Sequence, residues 1–248
     1  MARYASVRVP RHNYGLSWVD NDALYIAVEK AFARLLGLTG SSRNELPPDP
    51  FLIVAQALVT DTTFEEGLAF EEIRKVNKSL SNAVGNMHQY ILSIAPNWES
   101  LGTTGGVLDI RTKPGYIHPV IGMPIVAEVK NRFNTIKSSD EKDVWDKIDQ
   151  AARLSGAQGY IFQIVPAEAE RYDEMWEPSG RRAKPTVRCC DGATAYEIVF
   201  EYEDALHELY LALPEILADI KSTNRLVHTA PLPRKKEMDR LYYQVIPF

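Results

Sequence analysis

The chain has 248 residues, of which 45% are hydrophobic and 25% are charged, and its formal net charge is −5. This composition is typical of a globular protein with a sizeable core, and the acidic balance gives no global argument for a polyanionic partner, although a local basic groove would suffice for one. No apolar run approaches the roughly 20 residues that cross a bilayer, and residues 1–15 lack the apolar segment of a signal peptide, so we expect neither a membrane span nor secretion.

A helix is predicted near the N-terminus. Asp20 is a good N-cap for the pattern "NDALYIAVEKAFARLLGL", which ends near Gly37 or Gly40. Polar residues 39–50 then predict a loop with a proline-marked turn. The stretch "FLIVAQALV" (residues 51–59) predicts a short buried helix, although its apolar content alone would also suit a strand.

A long helical pattern follows. Thr62 and Glu65 have the spacing of a capping box, and the apolar residues after them recur at helical spacing. One or two helices are therefore predicted over residues 63–94. On a helical wheel Glu72 falls at the flank of the apolar stripe, whereas Glu71 points away from it.

From residue 105 the pattern becomes that of strands. "GGVLDIRT" predicts a short strand, and "HPVIGMPIVAEVK" predicts a second strand with an irregular entry at its glycine and proline. Residues 140–154 predict a helix, and "GYIFQIVP" predicts a third strand. Together these elements indicate an α/β fold.

The last quarter of the chain adds further elements. "TVRCCDGATAYEIVF" predicts two strands joined by a hairpin turn at Asp191 and Gly192. The adjacent cysteines within it, Cys189 and Cys190, cannot form an ordinary disulfide with each other, and a reducing, cytoplasmic compartment fits them best. Because neighbouring strand residues point to opposite faces, we expect at most one of them to be buried. A final amphipathic helix is predicted over residues 203–221, bent or broken at Pro214.

Two neighbouring predicted strands carry charged side chains. Asp109 lies on the first, and Glu128 and Lys130 lie two residues apart on the second, so these two share a face. Acid-x-lysine triplets occur three times in the chain, about as often as chance predicts. The other two, at Asp140 and Asp219, follow no buried strand and have no acid on an adjacent upstream strand.

These three side chains suit phosphodiester hydrolysis. Mg²⁺ prefers hard oxygen ligands, which Asp109 and Glu128 could supply together with the Val129 carbonyl. The Lys130 ammonium could orient the attacking water or stabilise developing negative charge. The alternative is a structural ion pair between Glu128 and Lys130 of small energetic value, with Asp109 simply ending a strand.

The order "GVLDI", "AEVKNRFNTIK", helix and "GYIFQIVP" resembles the PD-(D/E)XK nuclease superfamily. More narrowly it is similar to type II restriction endonucleases, especially a family that cleaves GGNCC- or GGWCC-like sites. "DPF…NAVGNMHQYIL" upstream and "VRCCDGATAYEIVF…DALHELYLALPEIL" downstream extend the resemblance over residues 49–221. One departure is Leu108, which stands where the name of the motif would place a proline.

The resemblance implies a restriction-endonuclease-like core, with a central mixed sheet flanked by helices, an N-terminal helical region and a C-terminal helix. One endonuclease domain would span residues 1–248, mainly helical to residue 100, with the catalytic sheet over 101–200 and a helix and tail over 201–248. It also implies Mg²⁺-dependent cleavage of double-stranded DNA at a short G/C-rich palindrome, with Mn²⁺ as a substitute metal. The products would carry 5′-phosphates, and a homodimer and a paired DNA methyltransferase would be the partners.

In this resemblance Asp109, Glu128 and Lys130 take the three catalytic roles. Because it flanks an inward face, Glu72 is a further candidate for a metal ligand or for orienting Lys130, and the alternative for Glu72 is a solvated carboxylate at the rim. Polar and basic residues near the site, or in a loop marked by glycine and proline, are candidates for phosphate or base contacts. They are Asn131, Arg132, Asn134, Thr135, Lys137, Arg181, Arg182, Lys184 and Arg188. For the candidates in residues 131–137 and for those in residues 181–188, the alternative is a solvated polar loop.

Two other functions remain open at this point. The first is another nuclease of the same superfamily that acts in repair or on particular DNA structures. The second is a DNA-binding protein that keeps the fold without catalysis. Discrete plasmid fragments would distinguish a restriction enzyme from both.

Overall fold

The computed structural model describes residues 11–39, 47–102 and 108–247. The helices within these ranges are α1 (Asn21–Phe32), α2 (Pro50–Val59), α3 (Phe64–Ser93), α4 (Glu141–Ser155), α5 (Gly192–Phe200), α6 (Ala205–Thr223) and α7 (Lys235–Val245). The strands are β1 (Trp98–Ser100), β2 (Ile110–Thr112), β3 (Ile125–Arg132), β4 (Gln158–Val165), β5 (Asp173–Met175) and β6 (Val187–Asp191). Among the described residues, no helix is both long and apolar enough to span a membrane.

The strands form one mixed sheet in the order β1-β2-β3-β4-β6-β5. Strands β3, β4 and β6 are parallel to one another, and the pairs β1-β2, β2-β3 and β5-β6 are antiparallel. The parallel pair β3-β4 is connected through α4, as a crossover between parallel strands requires. The predicted α/β fold with a mixed central sheet and flanking helices is confirmed.

Helices cover both faces of the sheet. On one face α4 packs through Trp145 and Ile148 against Val126 and Ile161. On the other face residues of α1, α3, α5 and α6 form the larger cluster, which extends from Leu16 to Ile246 along the chain.

Because helices cover both faces of the sheet, the prediction that at most one of the two cysteines is buried is wrong. Cys189 belongs to the cluster on the α4 face and Cys190 to the larger cluster, and both are buried. Alternation along the strand holds as expected, but neither face of β6 is open to water. A central parallel strand with helices on both sides buries successive side chains, whatever their parity.

Helix α1 begins as predicted. The Asp20 carboxylate accepts hydrogen bonds from the backbone N–H groups of Asp22 and Ala23. The helix ends at Phe32, earlier than predicted, and Gly37 follows in a left-handed conformation with φ of 71°. The predicted end at Gly40, most of the loop over residues 39–50, the first part of the strand predicted from residue 105, and the N-terminal segment lie outside the described residues.

The capping box of α3 is one residue later than predicted. The hydroxyl of Thr63 accepts from the N–H of Glu66, and the Glu66 carboxylate accepts from the N–H of Thr63. Thr62 and Glu65 have the same spacing, so the sequence offers two registers. The predicted long helix is confirmed as a single helix of 30 residues.

The predicted hairpin at Asp191 and Gly192 is wrong. Asp191 ends β6 and is the N-cap of α5, where its carboxylate accepts from the N–H groups of Ala193 and Thr194. Gly192 is the first residue of that helix and lies so close to β4 that a Cβ atom would be 2.2 Å from the Ile164 carbonyl oxygen. The glycine is therefore required for close packing rather than for a turn.

Three helical segments also differ from expectation. Helix α2 exists, but only Ile53 and Ala57 of its residues are buried, so it is not the buried helix predicted. Helix α7, which the sequence did not predict, packs through Met238 and Tyr242. Helix α6 continues through Pro214 and is not broken there.

Candidate active site

Glu128 and Lys130 lie near the end of β3, on the face of the sheet that α4 covers. Alternation along the strand places them on the same side as Val126, which is buried there. The Lys130 ammonium Nζ donates to Glu128 Oε1 at 2.6 Å. The side chain of Lys130 is 26% exposed and that of Glu128 is 16% exposed, so a substrate could reach the pair from the edge of the core.

Asp109 reaches the same place from the bend that precedes β2. Its backbone N–H donates to the carbonyl of Ala127 at 3.1 Å, in continuation of the antiparallel ladder between β2 and β3. Its carboxylate Oδ2 accepts from the backbone N–H of Val129 at 2.8 Å. The side chain of Asp109 is thus bound to a backbone N–H group of β3 and lies next to Glu128.

The electrostatics of Asp109 reflect this crowding. Burial and the neighbouring Glu128 carboxylate raise the pKa of Asp109 to about 6, against the opposing effects of the Val129 N–H, Lys130 and the Gln89 amide. Two half-buried carboxylates with one ammonium beside them carry excess negative charge. A divalent cation between them would compensate that charge.

The oxygen donors fit a Mg²⁺ ion. The part of the chain that the structure describes contains no group of three or more His, Cys, Asp or Glu side chains placed to hold a metal. An ion at this position would therefore have the carboxylates of Asp109 and Glu128 as its charged ligands. Mg²⁺ accepts such a site, because it retains several waters and commonly binds one or two carboxylates plus substrate phosphate.

Gln89 on α3 is a site residue that the sequence did not indicate. Its side chain lies close enough to the carboxylate of Asp109 to help lower the pKa of that group. One turn earlier, α3 passes close to the end of β3 at Gly85, where an added Cβ would lie 3.8 Å from the Cβ of Asn131. The only available signal was a polar residue between the buried positions Met87 and Ile91 of an otherwise core-facing helix.

Glu72 lies elsewhere on α3. It is exposed, and its carboxylate pairs with Lys75 at 3.0 Å. With a rise of 1.5 Å per residue it is about 25 Å along the helix from Gln89, too far to share a metal with Asp109. The prediction that Glu71 points away is also wrong, because Glu71 is buried and accepts two hydrogen bonds from Arg74.

The segment after Lys130 is mostly exposed. Asn131 and Arg132 end β3, and a 3-10 turn spans Phe133–Thr135. Arg132, Asn134, Thr135 and Lys137 are exposed, and Thr135 donates through its hydroxyl to the Arg132 carbonyl at 2.7 Å.

The basic residues of β6 and of the loop before it are mostly engaged in ion pairs. Arg181 donates to Asp146 of α4 at 2.7 Å, and Arg188 donates to Asp173 of β5 at 2.6 Å. Three of the four cations there thus have carboxylate partners within the chain, since Lys184 binds the buried Asp149 at 3.0 Å and lies over the ring of Trp145. The remaining one, Arg182, is exposed.

Comparisons with known proteins give one consistent result. The sequence profile of the Eco47II restriction endonuclease family matches residues 16–222, a range that includes Asp109, Glu128 and Lys130. The type II restriction enzyme Eco47II of Escherichia coli is 31% identical over 172 residues, which cover 65% of this chain and 68% of that protein. The type II restriction enzyme Sau96I of Staphylococcus aureus is 24% identical over 227 residues, covering 86% of this chain and 84% of that protein.

Proposed function

This chain belongs to the Eco47II restriction endonuclease family of type II restriction enzymes, and we propose that it hydrolyses phosphodiester bonds of double-stranded DNA in a Mg²⁺-dependent reaction. The observation that carries the proposal is the convergence of Asp109, Glu128 and Lys130 at one end of β3. Two carboxylates and an ammonium beside an open edge suit a phosphate group and a hydrolytic water.

The carboxylates of Asp109 and Glu128 would hold the metal, with the Val129 carbonyl as a further ligand and with Mn²⁺ as a substitute ion. When bound, the ion would neutralise charge on the phosphate and lower the pKa of a water molecule. Lys130 positions that water and stabilises negative charge on the phosphate oxygens. The Gln89 amide and the Val129 N–H fix the carboxylate of Asp109. Attack of water on phosphorus breaks the P–O3′ bond, and protonation of the departing O3′ by solvent leaves a 3′-hydroxyl and a 5′-phosphate.

We infer that the substrate is a short G/C-rich palindrome of the GGNCC or GGWCC type. The exposed residues after β3 would contact the phosphate backbone next to the scissile bond, and Arg182 is an exposed cation in the loop before β6. Arginine bound to the edge of guanine is the commonest specific base contact. A methyltransferase that modifies the same site would protect the host DNA.

We further infer that residues 1–248 act as one endonuclease domain and that the enzyme works as a homodimer. The larger core cluster draws on helices from both ends of the chain, which supports one domain. A palindrome has two equivalent strands, and a two-fold symmetric pair of chains presents one catalytic site to each.

Plasmid digestion tests the proposed function. Purified protein is incubated with plasmid DNA in Mg²⁺ and, in parallel, with a chelator, and the fragment ends are sequenced. Discrete fragments with one common end sequence and a 5′-phosphate are expected only with the metal. A smear, or cutting only at junctions or damage, would instead indicate a different nuclease of the superfamily. Salt-sensitive binding without cutting in Mg²⁺ or Mn²⁺ would indicate a non-catalytic protein.

A further inference from the structure

Helices α2 and α3 form a hairpin whose outside is apolar. Ten large apolar side chains between residues 51 and 80 are 39% to 85% exposed, and we call them the hairpin surface. They are Phe51, Leu52, Val54, Leu58, Val59, Phe64, Phe70, Ile73, Val76 and Leu80. Among the described residues they account for half of the exposed large hydrophobic side chains.

Helix α2 is apolar on nearly every side but is buried on only one. Ile53 and Ala57 pack against α3 where Gly67 allows close approach, since a Cβ there would lie 3.1 Å from the Ile53 carbonyl oxygen. Phe51 and Val59 are 85% and 83% exposed. A helix that is hydrophobic all round is normally covered all round.

Helix α3 shows the same mismatch along its length. Its apolar stripe is buried from Ala83 to Leu92 against the core of this chain. The same spacing continues towards the N-terminal end through Leu80, Val76 and Ile73, where the side chains are 39%, 45% and 56% exposed. The stripe therefore continues a core face into solvent.

The exposed apolar area of the hairpin surface is large enough for a protein–protein interface. Ten large apolar side chains that are about half exposed present roughly 100 Å² each, or roughly 1,000 Å² together. A stable interface needs about 800 Å² per partner, and the largest patch on a typical monomer is about 300–600 Å². A groove of about 290 Å³ between the helices, lined in part by Leu52, Phe70 and Ile73, gives a partner side chain a place to insert.

The charges of the hairpin disfavour DNA as the occupant. Residues 49–80 contain six acidic and three basic residues, so the hairpin is net negative and would repel a polyanion. Glu71 and Arg74 pair with each other, and Glu72 pairs with Lys75. These internal pairs neutralise charge next to the apolar residues, as a self-complementary interface requires.

We propose that the hairpin surface is where two copies of this chain associate. A two-fold axis places the same apolar patch against itself, with the two hairpins packed as a four-helix arrangement. This inference rests on the proposed cleavage of a palindrome, which needs two catalytic sites, and it adds the surface that joins them.

The experiment measures oligomeric state in the absence of DNA and metal. Sedimentation velocity is run on the wild type from nanomolar to tens of micromolar, where a monomer has a mass of 28.0 kDa. The double variant Leu58→Glu/Ile73→Glu places one charge on each helix of the hairpin. The matched control is Leu154→Glu, because Leu154 is 81% exposed and Leu58 74%, and Leu154 lies on α4 outside the hairpin.

The wild type and Leu154→Glu are expected to sediment at twice the monomer mass, and the double variant at the monomer mass with at least a hundredfold weaker association. Because both substituted side chains are exposed in the monomer, the circular dichroism and melting of the double variant at low concentration are expected to match those of the wild type. A wild type that stays monomeric at all concentrations overturns the inference, and so does a double variant that dimerises as strongly as the wild type.

Plasmid digestion of the same preparations separates this inference from the proposed function. A monomeric wild type that cuts plasmid into discrete fragments overturns the interface and leaves the nuclease function standing. A wild type that dimerises through the hairpin but never cuts DNA supports the interface and overturns the nuclease function.

Discussion

Asp109 and Val129 are joined across two strands by a hydrogen bond of 2.8 Å from the Val129 N–H to the Asp109 carboxylate. The acceptor is a side chain where a regular antiparallel ladder would use a backbone carbonyl. The carboxylate that we propose as a metal ligand is therefore positioned by the strand that also carries Glu128 and Lys130. Its orientation depends on this backbone N–H group and, in addition, on the neighbouring Gln89 side chain.

Removing the charged groups of the site should abolish cleavage without unfolding the chain. We expect Asp109→Asn and Lys130→Ala each to lower the rate of Mg²⁺-dependent plasmid cutting by about 10²–10⁴-fold, because each removes charge that acts on the metal or the phosphate. Binding to DNA, measured by fluorescence anisotropy with its salt dependence, should change little.

The chain supplies a matched control for these variants. Asp140 and Lys142 form the same acid-x-lysine triplet at the start of α4, outside the site. We expect Asp140→Asn and Lys142→Ala to cut at rates close to the wild type. Normal cutting by both Asp109→Asn and Lys130→Ala would show that the site has been assigned to the wrong residues.

Gln89 should act through Asp109. We expect Gln89→Leu to raise the Mg²⁺ concentration for half-maximal cleavage about 10-fold, because loss of a group that orients a metal ligand typically costs 10–100-fold in metal affinity or activity. The measurement is a Mg²⁺ titration of the initial cleavage rate. Asn86→Leu, an exposed amide on the same helix, is the control. An unchanged Mg²⁺ dependence for Gln89→Leu would mean that its amide has no positioning role.

His88 should make folding stability depend on pH. Its side chain is buried, and its Nδ1 atom forms a hydrogen bond of 2.8 Å with the Tyr196 hydroxyl. Burial lowers the pKa of His88 from 6.5 to about 4. At intermediate pH the unfolded chain binds a proton that the folded chain excludes. The stability from neutral His88 is complete above pH 6.5 and is lost as the pH falls towards 4, by about 3 kcal/mol in total.

Urea unfolding at about pH 7.5 and about pH 5 measures this effect. The wild type should lose about 2 kcal/mol more than His88→Leu between the two conditions, since the variant has no proton to gain on unfolding. His228→Leu, at an exposed histidine, should behave as the wild type does. Equal losses in the wild type and His88→Leu would show that His88 is not responsible.

Gly192→Ala should destabilise the fold by about 3 kcal/mol, because its Cβ would lie 2.2 Å from the Ile164 carbonyl oxygen and α5 would have to move from the sheet. Gly85→Ala is the comparison, with no contact closer than 3.8 Å outside its own helix. In a helix interior that change should stabilise by about 0.5–1 kcal/mol. Thermal or urea unfolding of both variants checks the difference in sign, and equal stabilities would contradict the packing role of Gly192.

The sequence predicted the sheet and its flanking helices because period and composition change clearly along the chain. It also placed Asp109 near Glu128 and Lys130, since two short buried strands with an intervening turn bring their ends together. The context of a buried strand distinguished Glu128 from Asp140 and Asp219. That context depends only on local pattern, which the sequence contains.

The failures concern residues whose role depends on distant partners. Asp191 and Gly192 suit both a tight turn and a helix N-terminus, and only the position of β4 next to them decides. Cys189 and Cys190 are both buried because helices from separate parts of the chain cover the two faces of β6. Local periodicity indicates neither the close approach of Gly192 to β4 nor the helices on both faces of β6.

Helix α3 is a single uninterrupted element of 30 residues without a proline, and it begins in the hairpin surface and ends beyond Gln89. A helix without a kink curves only gently over that length, so a displacement of one end would be passed on to the other. A second copy bound at the hairpin surface would tilt α3, and this tilt would move Gln89 and the carboxylate of Asp109 next to it. Dimer formation at the hairpin surface would then be coupled to the position of Gln89 beside the carboxylates that we propose bind the metal.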